Sequence, residues 1–173
     1  MNSKIKNMCF AALGAAVICV ISPVSVPAGA VPITLSLFAV LLVAGLFPPR
    51  LSVVSVLVYV AIGAVGVPVF AGFNGGFQVL AGPTGGFILA YIPTALVVSA
   101  FGHNAVSRGI SMVLSTIMCY IVGSIWLSFT TDTGFFSAFL ATFIPCAIPD
   151  ALKAVSAFVI TTAIRSRTPR NPN

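Results

Sequence analysis

The sequence predicts an all-α integral membrane protein with six transmembrane helices, both termini cytoplasmic, and a glycine-rich lid loop between the third and fourth helices. Three observations lead there. Hydrophobic residues make up 59% of the 173 and charged residues only 6%, against about 25% charged in an ordinary soluble domain, too few to clothe a water-facing surface. Apolar runs recur at spanning length, which is about 17–25 residues for a hydrocarbon core of about 30 Å. Threaded across a bilayer, those runs put nearly all basic residues on one side.

The first span, about 7–22, follows Lys4 and Lys6. Its "AALGAAV" places Ala11 and Ala15, and likewise Ala12 and Ala16, four residues apart with Gly14 between them. Small residues at that spacing let two helices approach closely, either within the chain or on a partner. Lys4, Lys6, the apolar stretch and "AGA" (Ala28 to Ala30) also mimic a secretory signal with its cleavage site. The packing pattern of the first span argues instead for a retained helix.

"SPVSVPAGAVP" separates the first span from the second, about 33–47, which ends at "PPR". The third runs over about 51–67 and the fourth over about 86–101, with the glycine-rich passage between them. "GHNAVSRG" leads into the fifth, about 109–129, which "TDTG" closes before the sixth, about 147–165. Residues 135–146, "FFSAFLATFIPC", are too few to cross alone and have Pro145 and Pro149 at their end. They are expected to form a short re-entrant or interfacial segment before the sixth helix. The alternative is one long kinked helix from Phe135 to Ile164. The whole chain, 1–173, is read as a single transmembrane substrate-binding domain.

Six crossings place both termini and the second-to-third and fourth-to-fifth connections together. Lys4, Lys6, Arg50, Arg108, Arg165, Arg167 and Arg170 land there, seven of the eight basic residues, while Asp132 lands opposite. The positive-inside rule makes that side cytoplasmic. The formal charge of +6 is thus dispersed, with no contiguous basic patch for a nucleic acid. Cys9, Cys19, Cys119 and Cys146 show no CxxC pair or metal spacing and read as small packing residues. The sole histidine, His103, has no acid beside it, and neither HExxH nor a GxxxxGK loop occurs. Hydrolytic chemistry and ATP turnover by this chain alone are excluded.

Two features resist a purely structural account. Lys153, the exception to the charge rule, lies three residues after Asp150 in "PDALKAVSAF", on the same side of a helix and about one turn away. A lone charge at membrane depth costs about 2.5–3.5 kcal/mol on insertion scales. The pair therefore either locks the sixth helix to its neighbours or lines a polar ligand site near the outer end of the span. The second feature is "GFNGGFQVLAGPTGGF" (Gly72 to Phe87), glycine-dense yet uncharged. Irregular backbone at membrane depth needs protein or a cavity against it, so a lid over a pocket is the natural reading. A packing loop between two helices is its rival. Glycines such as Gly85 would let backbone amides approach a small ligand, with Asn74, Gln78 and Thr84 as neutral donors and acceptors.

With these residues in hand, the chain resembles the substrate-binding (S) components of energy-coupling-factor vitamin transporters. "FNGGFQVLAGPTGGF" and "IPDALKA" are similar to the two signatures of the biotin-specific BioY family, and "GVPVFAGFNGG" ahead of them is similar as well. The likeness is weakest in the fifth span and around "TDTGFFSAFL". It implies a multi-pass protein of the bacterial cytoplasmic membrane that binds biotin as a transported ligand, not a cofactor. By the same resemblance its partners are a transmembrane coupling subunit and two cytoplasmic ATPases, with Ala11, Ala12, Ala15 and Ala16 as the docking face. Asn74, Asp150 and Lys153 match positions that surround biotin in the family. Some members carry Arg at the second position of the Gly-x-Thr-Gly-Gly stretch to meet the ligand carboxylate; here that position is Pro83.

Biotin's ureido ring offers two N–H donors and a carbonyl. Asp150 is suited to the N–H groups, and Asn74 to either edge of the ring. Lys153 is suited to the ureido carbonyl or the carboxylate. Phe73, Phe77, Phe87 and Tyr91 are candidates for the apolar wall. The alternative function is a structural or assembly protein of the membrane with no small-molecule ligand.

Overall fold

A computed structural model describes residues 3–27 and 31–167. Ala28 to Ala30, the signal-like cleavage site, lie outside the described residues. The chain forms α1 (Ser3–Ile21), β1 (Ser25–Val26), β2 (Ile33–Thr34), α2 (Ser36–Leu46), α3 (Pro49–Ala64), a 3₁₀ turn (Ala71–Phe73), α4 (Phe77–Ala81), α5 (Gly85–Phe101), α6 (Ala105–Thr131) and α7 (Phe135–Arg167). Among the described residues three helices are long and apolar enough to cross a membrane: Lys4–Ile21, Ala105–Thr131 and Phe135–Arg167. Three shorter apolar helices, α2, α3 and α5, accompany them.

The local chemistry explains the boundaries. Pro49 opens α3 at a position whose N–H has no helical partner to lose. Asp132 ends α6 in the left-handed region, φ 51°, where an Asp side chain is tolerated better than most. α2 is 11 residues long, about 16 Å at 1.5 Å per residue. It is shielded by protein, since Ala39, Val40, Leu41 and Ala44 are all fully buried.

Packing runs α1 on α3, α3 on α5, α5 on α6 and α6 on α7, with α2 laid against α5 and α7. The α1–α3 contact is close because Gly14 has no side chain. A Cβ there would fall 2.5 Å from Ser55 Oγ and 2.8 Å from the Phe47 ring. The Ser55 hydroxyl also lies 3.0 Å from the Ala11 carbonyl oxygen. Ala11 and Ala15 are therefore interior residues, whereas Ala12 and Ala16 face outward. The four-alanine face expected from spacing is two faces.

The structure corrects three further expectations. Residues 135–146 are not a separate re-entrant segment: α7 continues through Pro145 and Pro149 to Arg167. Each proline removes one backbone donor, and the rest of the ladder carries the helix past both. Arg108 is not in a connection but in the first turns of α6, 4% exposed, with its guanidinium donating to Thr162 Oγ1 at 3.0 Å. The glycine-rich passage is not one irregular loop, since it holds the 3₁₀ turn, α4 and the start of α5. The fold is mostly helical as expected, with one short antiparallel ladder that pairs Ser25 with Thr34 and Val26 with Ile33.

Candidate functional site

The glycine-rich passage is tied down at three points. The Gly72 N–H donates to Pro23 O at 3.0 Å, Gly76 N–H to Gly63 O at 2.7 Å, and Trp126 Nε1 of α6 to Gly82 O at 2.9 Å. Gly72 (φ 70°) and Gly76 (φ 102°) adopt the conformations that bring the chain back. Gly86 admits the Trp126 side chain, whose Cβ lies 2.2 Å from where a Gly86 Cβ would sit. The passage thus forms an anchored wall on one side of a cavity.

That cavity, about 160 Å³, is roughly ten times what a single buried water needs. One side is the β2 region, with Thr34, Ser36 and Leu37. Tyr59 of α3 and Phe87, Ile88 and Tyr91 of α5 add apolar and aromatic surface. Asn74, Val79 and Thr84 come from the glycine-rich passage. α6 and α7 contribute Thr116, Cys119, Tyr120, Thr142, Cys146 and Asp150. Burial grades across it: Asn74 is exposed and Thr84 half-buried, while Thr142 is 1% and Asp150 8% exposed.

The deep end is built of acceptors. Thr116 donates its hydroxyl to Met112 O at 2.8 Å and Thr142 to Ala138 O at 2.9 Å, so each presents only oxygen lone pairs to the cavity. The Asp150 carboxylate joins them in the lining. Its Oδ1 accepts from Lys153 Nζ at 2.6 Å and its Oδ2 from the Tyr120 hydroxyl at 2.5 Å. Each carboxylate oxygen retains a further lone pair. Tyr120 is backed by Phe143, ring centroids 5.7 Å apart and edge-on, and Phe143 stacks on Phe139 at 5.4 Å. The arrangement suits a small molecule that brings N–H donors to the deep end and an apolar body to the aromatic side.

A model of the BioY family matches residues 1–170. The chain belongs to the BioY family. It is similar to the probable biotin transporter BioY of Pyrococcus horikoshii, 36% identical over 165 residues covering 95% of this chain and 99% of that protein. It is also similar to the biotin transporter BioY2 of Lactococcus lactis subsp. cremoris, 33% identical over 158 residues, 89% of this chain and 87% of the other. Its fold is similar to the crystal structure of the S-component for biotin from an ECF-type ABC transporter. The TM-score is 0.88 at 27% identity, with 96% of this chain and 94% of that one covered.

Within this BioY fold the residues singled out from sequence separate. Asn74, Thr84 and Asp150 line the cavity together, as do Phe87 and Tyr91. Lys153 stands behind Asp150 and outside the lining. Gln78 turns to its own loop, donating to Gly75 O at 2.9 Å. The Gly85 N–H is engaged with Gly82 O at 3.0 Å. Phe73 and Phe77 are 70% and 71% exposed and form no wall. Sequence reasoning missed Tyr120, Thr116 and Thr142, and read Cys119 and Cys146 as packing alone. The signal for the α6 group was present: Thr116, Cys119, Tyr120 and Gly123 mark one stripe at three- and four-residue spacing in an otherwise apolar run.

Proposed function

We propose that this chain is the biotin-binding membrane subunit of an ATP-driven ECF-type vitamin importer, and not an enzyme. The observation that supports this best is the deep end of the cavity, where Asp150, Thr116 and Thr142 offer only acceptors. A ureido ring brings N–H donors to such a surface, and its thioether ring and tail suit Phe87, Ile88 and Tyr91. Lys153 neutralises Asp150 and orients it, acting on the ligand through that carboxylate. Asn74 and Thr84 contact the ligand from the glycine-rich passage, which serves as the outer lid.

The proposal includes one substrate-binding domain of six crossings in a bacterial cytoplasmic membrane, with both termini inside. A coupling subunit and two cytoplasmic ATPases supply the energy. Ala12 and Ala16, outward-facing on α1, are the docking residues; Ala11 and Ala15 support them from within. A purely structural role for Asp150 and Lys153 leaves the cavity in front of Asp150 without a purpose.

The test is a binding isotherm on the detergent-purified full chain. Biotin should saturate one site per chain with nanomolar affinity, about 12 kcal/mol, and should raise the melting temperature by mass action. Two or three buried charge-assisted hydrogen bonds contribute roughly 3–9 kcal/mol of that affinity and burial of the apolar body the remainder. No saturable binding would sink the proposal.

A further inference from the structure

Charge is distributed unevenly around the cavity. Among the described residues Asp150 is the only charged side chain in its lining, and Lys153 is held on Asp150 Oδ1 at 2.6 Å, outside the lining. The rest of the lining is neutral, and its exposed part reaches water. Asn74 there is exposed, gives one N–H to Ala71 O at 2.8 Å and keeps the other. Thr84, from the same passage and in the same lining, is half-buried, and position 83 is proline.

These two ends orient a ligand that carries a ureido ring at one end and a carboxylate at the other. A carboxylate driven toward Asp150 would meet an oxygen-lined end that offers it acceptors only, with the Lys153 ammonium already held on Asp150 Oδ1. At the Asn74–Thr84 end it keeps its hydration and gains neutral donors.

We infer that this site receives the ligand's acid end at the open mouth as a hydrogen-bond acceptor, not as a charge, so that its ligands include biotin derivatives with a primary amide or methyl ester in place of the carboxylate. The inference rests on the biotin-binding reading above. Neutral hydrogen bonds in reach of water discriminate weakly between a carboxylate and an amide or ester carbonyl. A cation in a dry pocket would discriminate strongly.

The experiment is competition binding on the full chain in detergent, with biotin, biotinamide and biotin methyl ester. Dissociation constants of the amide and ester should lie within about tenfold of biotin's, a span of roughly 1.4 kcal/mol. In Thr84→Val both biotin and biotinamide should weaken by the same factor, since both lose the same donor. Biotin binding with a wider gap to both derivatives, or a Thr84→Val loss confined to biotin, overturns this inference alone. Absence of biotin binding overturns the functional reading with it.

Discussion

The hydroxyl of Tyr120 lies 2.5 Å from Oδ2 of Asp150, while Lys153 holds Oδ1 of the same carboxylate at 2.6 Å. Asp150 is thereby fixed from both sides, from α6 and from its own helix. Tyr120→Phe keeps the ring against Phe143 and removes only the donor. The ligand-free protein should lose thermal stability, since a buried hydrogen bond to a charged group contributes roughly 1.5–3 kcal/mol, and biotin affinity should fall about tenfold as Asp150 loses its orienting partner. Calorimetric titration of both proteins checks it; equal affinities would mean that Asp150 needs no orienting from α6.

Removing one member of a buried ion pair leaves the other uncompensated, at about 3–5 kcal/mol. Lys153→Met should therefore lower thermal stability markedly, and Asp150→Asn should lower biotin affinity by an order of magnitude or more. The double variant, Asp150→Asn with Lys153→Met, should recover much of the stability without recovering binding. Melting curves beside isotherms separate the two roles. Full recovery of binding in the double variant would show that the pair only holds helices together.

Trp126 fixes the turn that carries Thr84. Its Nε1 donates to Gly82 O and its side chain fills the space left open by Gly86. Trp126→Phe should keep most of the packing but free the turn, speeding biotin release several-fold with little effect on capture. Gly86→Val is harsher, because its Cβ would overlap the indole and force α5 from α6; low yield and a lowered melting temperature are expected. Gly134→Ala is the control, since nothing lies within 4 Å of its added Cβ. Stopped-flow release rates decide the first case.

On α1, adjacent alanines should respond differently. If the proposed coupling subunit docks on α1, Ala16→Trp, which projects bulk outward, should abolish co-purification with it while leaving biotin binding intact. Ala15 is 2% exposed, so Ala15→Trp should damage the subunit itself. If Ala16→Trp assembled normally, docking would lie elsewhere on the surface.

How far the chain was legible depends on the range of each interaction. Asp150 and Lys153 announce themselves because their spacing is local and their setting apolar. The helices follow from composition and punctuation, with boundaries displaced by a few residues at most ends. Tyr120 was hidden because its partner lies 30 positions away and tyrosine in an apolar run is unremarkable alone. Arg108 misled because a cation near a glycine and an asparagine reads as a connection, whereas its acceptor, Thr162, is on α7. The two α7 prolines read as an ending, yet backbone bonding on both sides holds the helix together. The divided fate of the α1 alanines depends on where α3 packs, which spacing on α1 does not contain.

The pairing of Lys153 with Asp150 has an electrical consequence. An empty pocket with one positive and one negative group in contact has no net charge, so a transmembrane voltage exerts no net pull on it; a single unmatched charge would feel about 2.3 kcal/mol per 100 mV across the bilayer. Only an occupied pocket, bearing the anionic tail of its cargo, couples to that field. On the biotin-importer reading, any voltage dependence contributed by this site should therefore come from the bound anion and not from the Asp150–Lys153 pair.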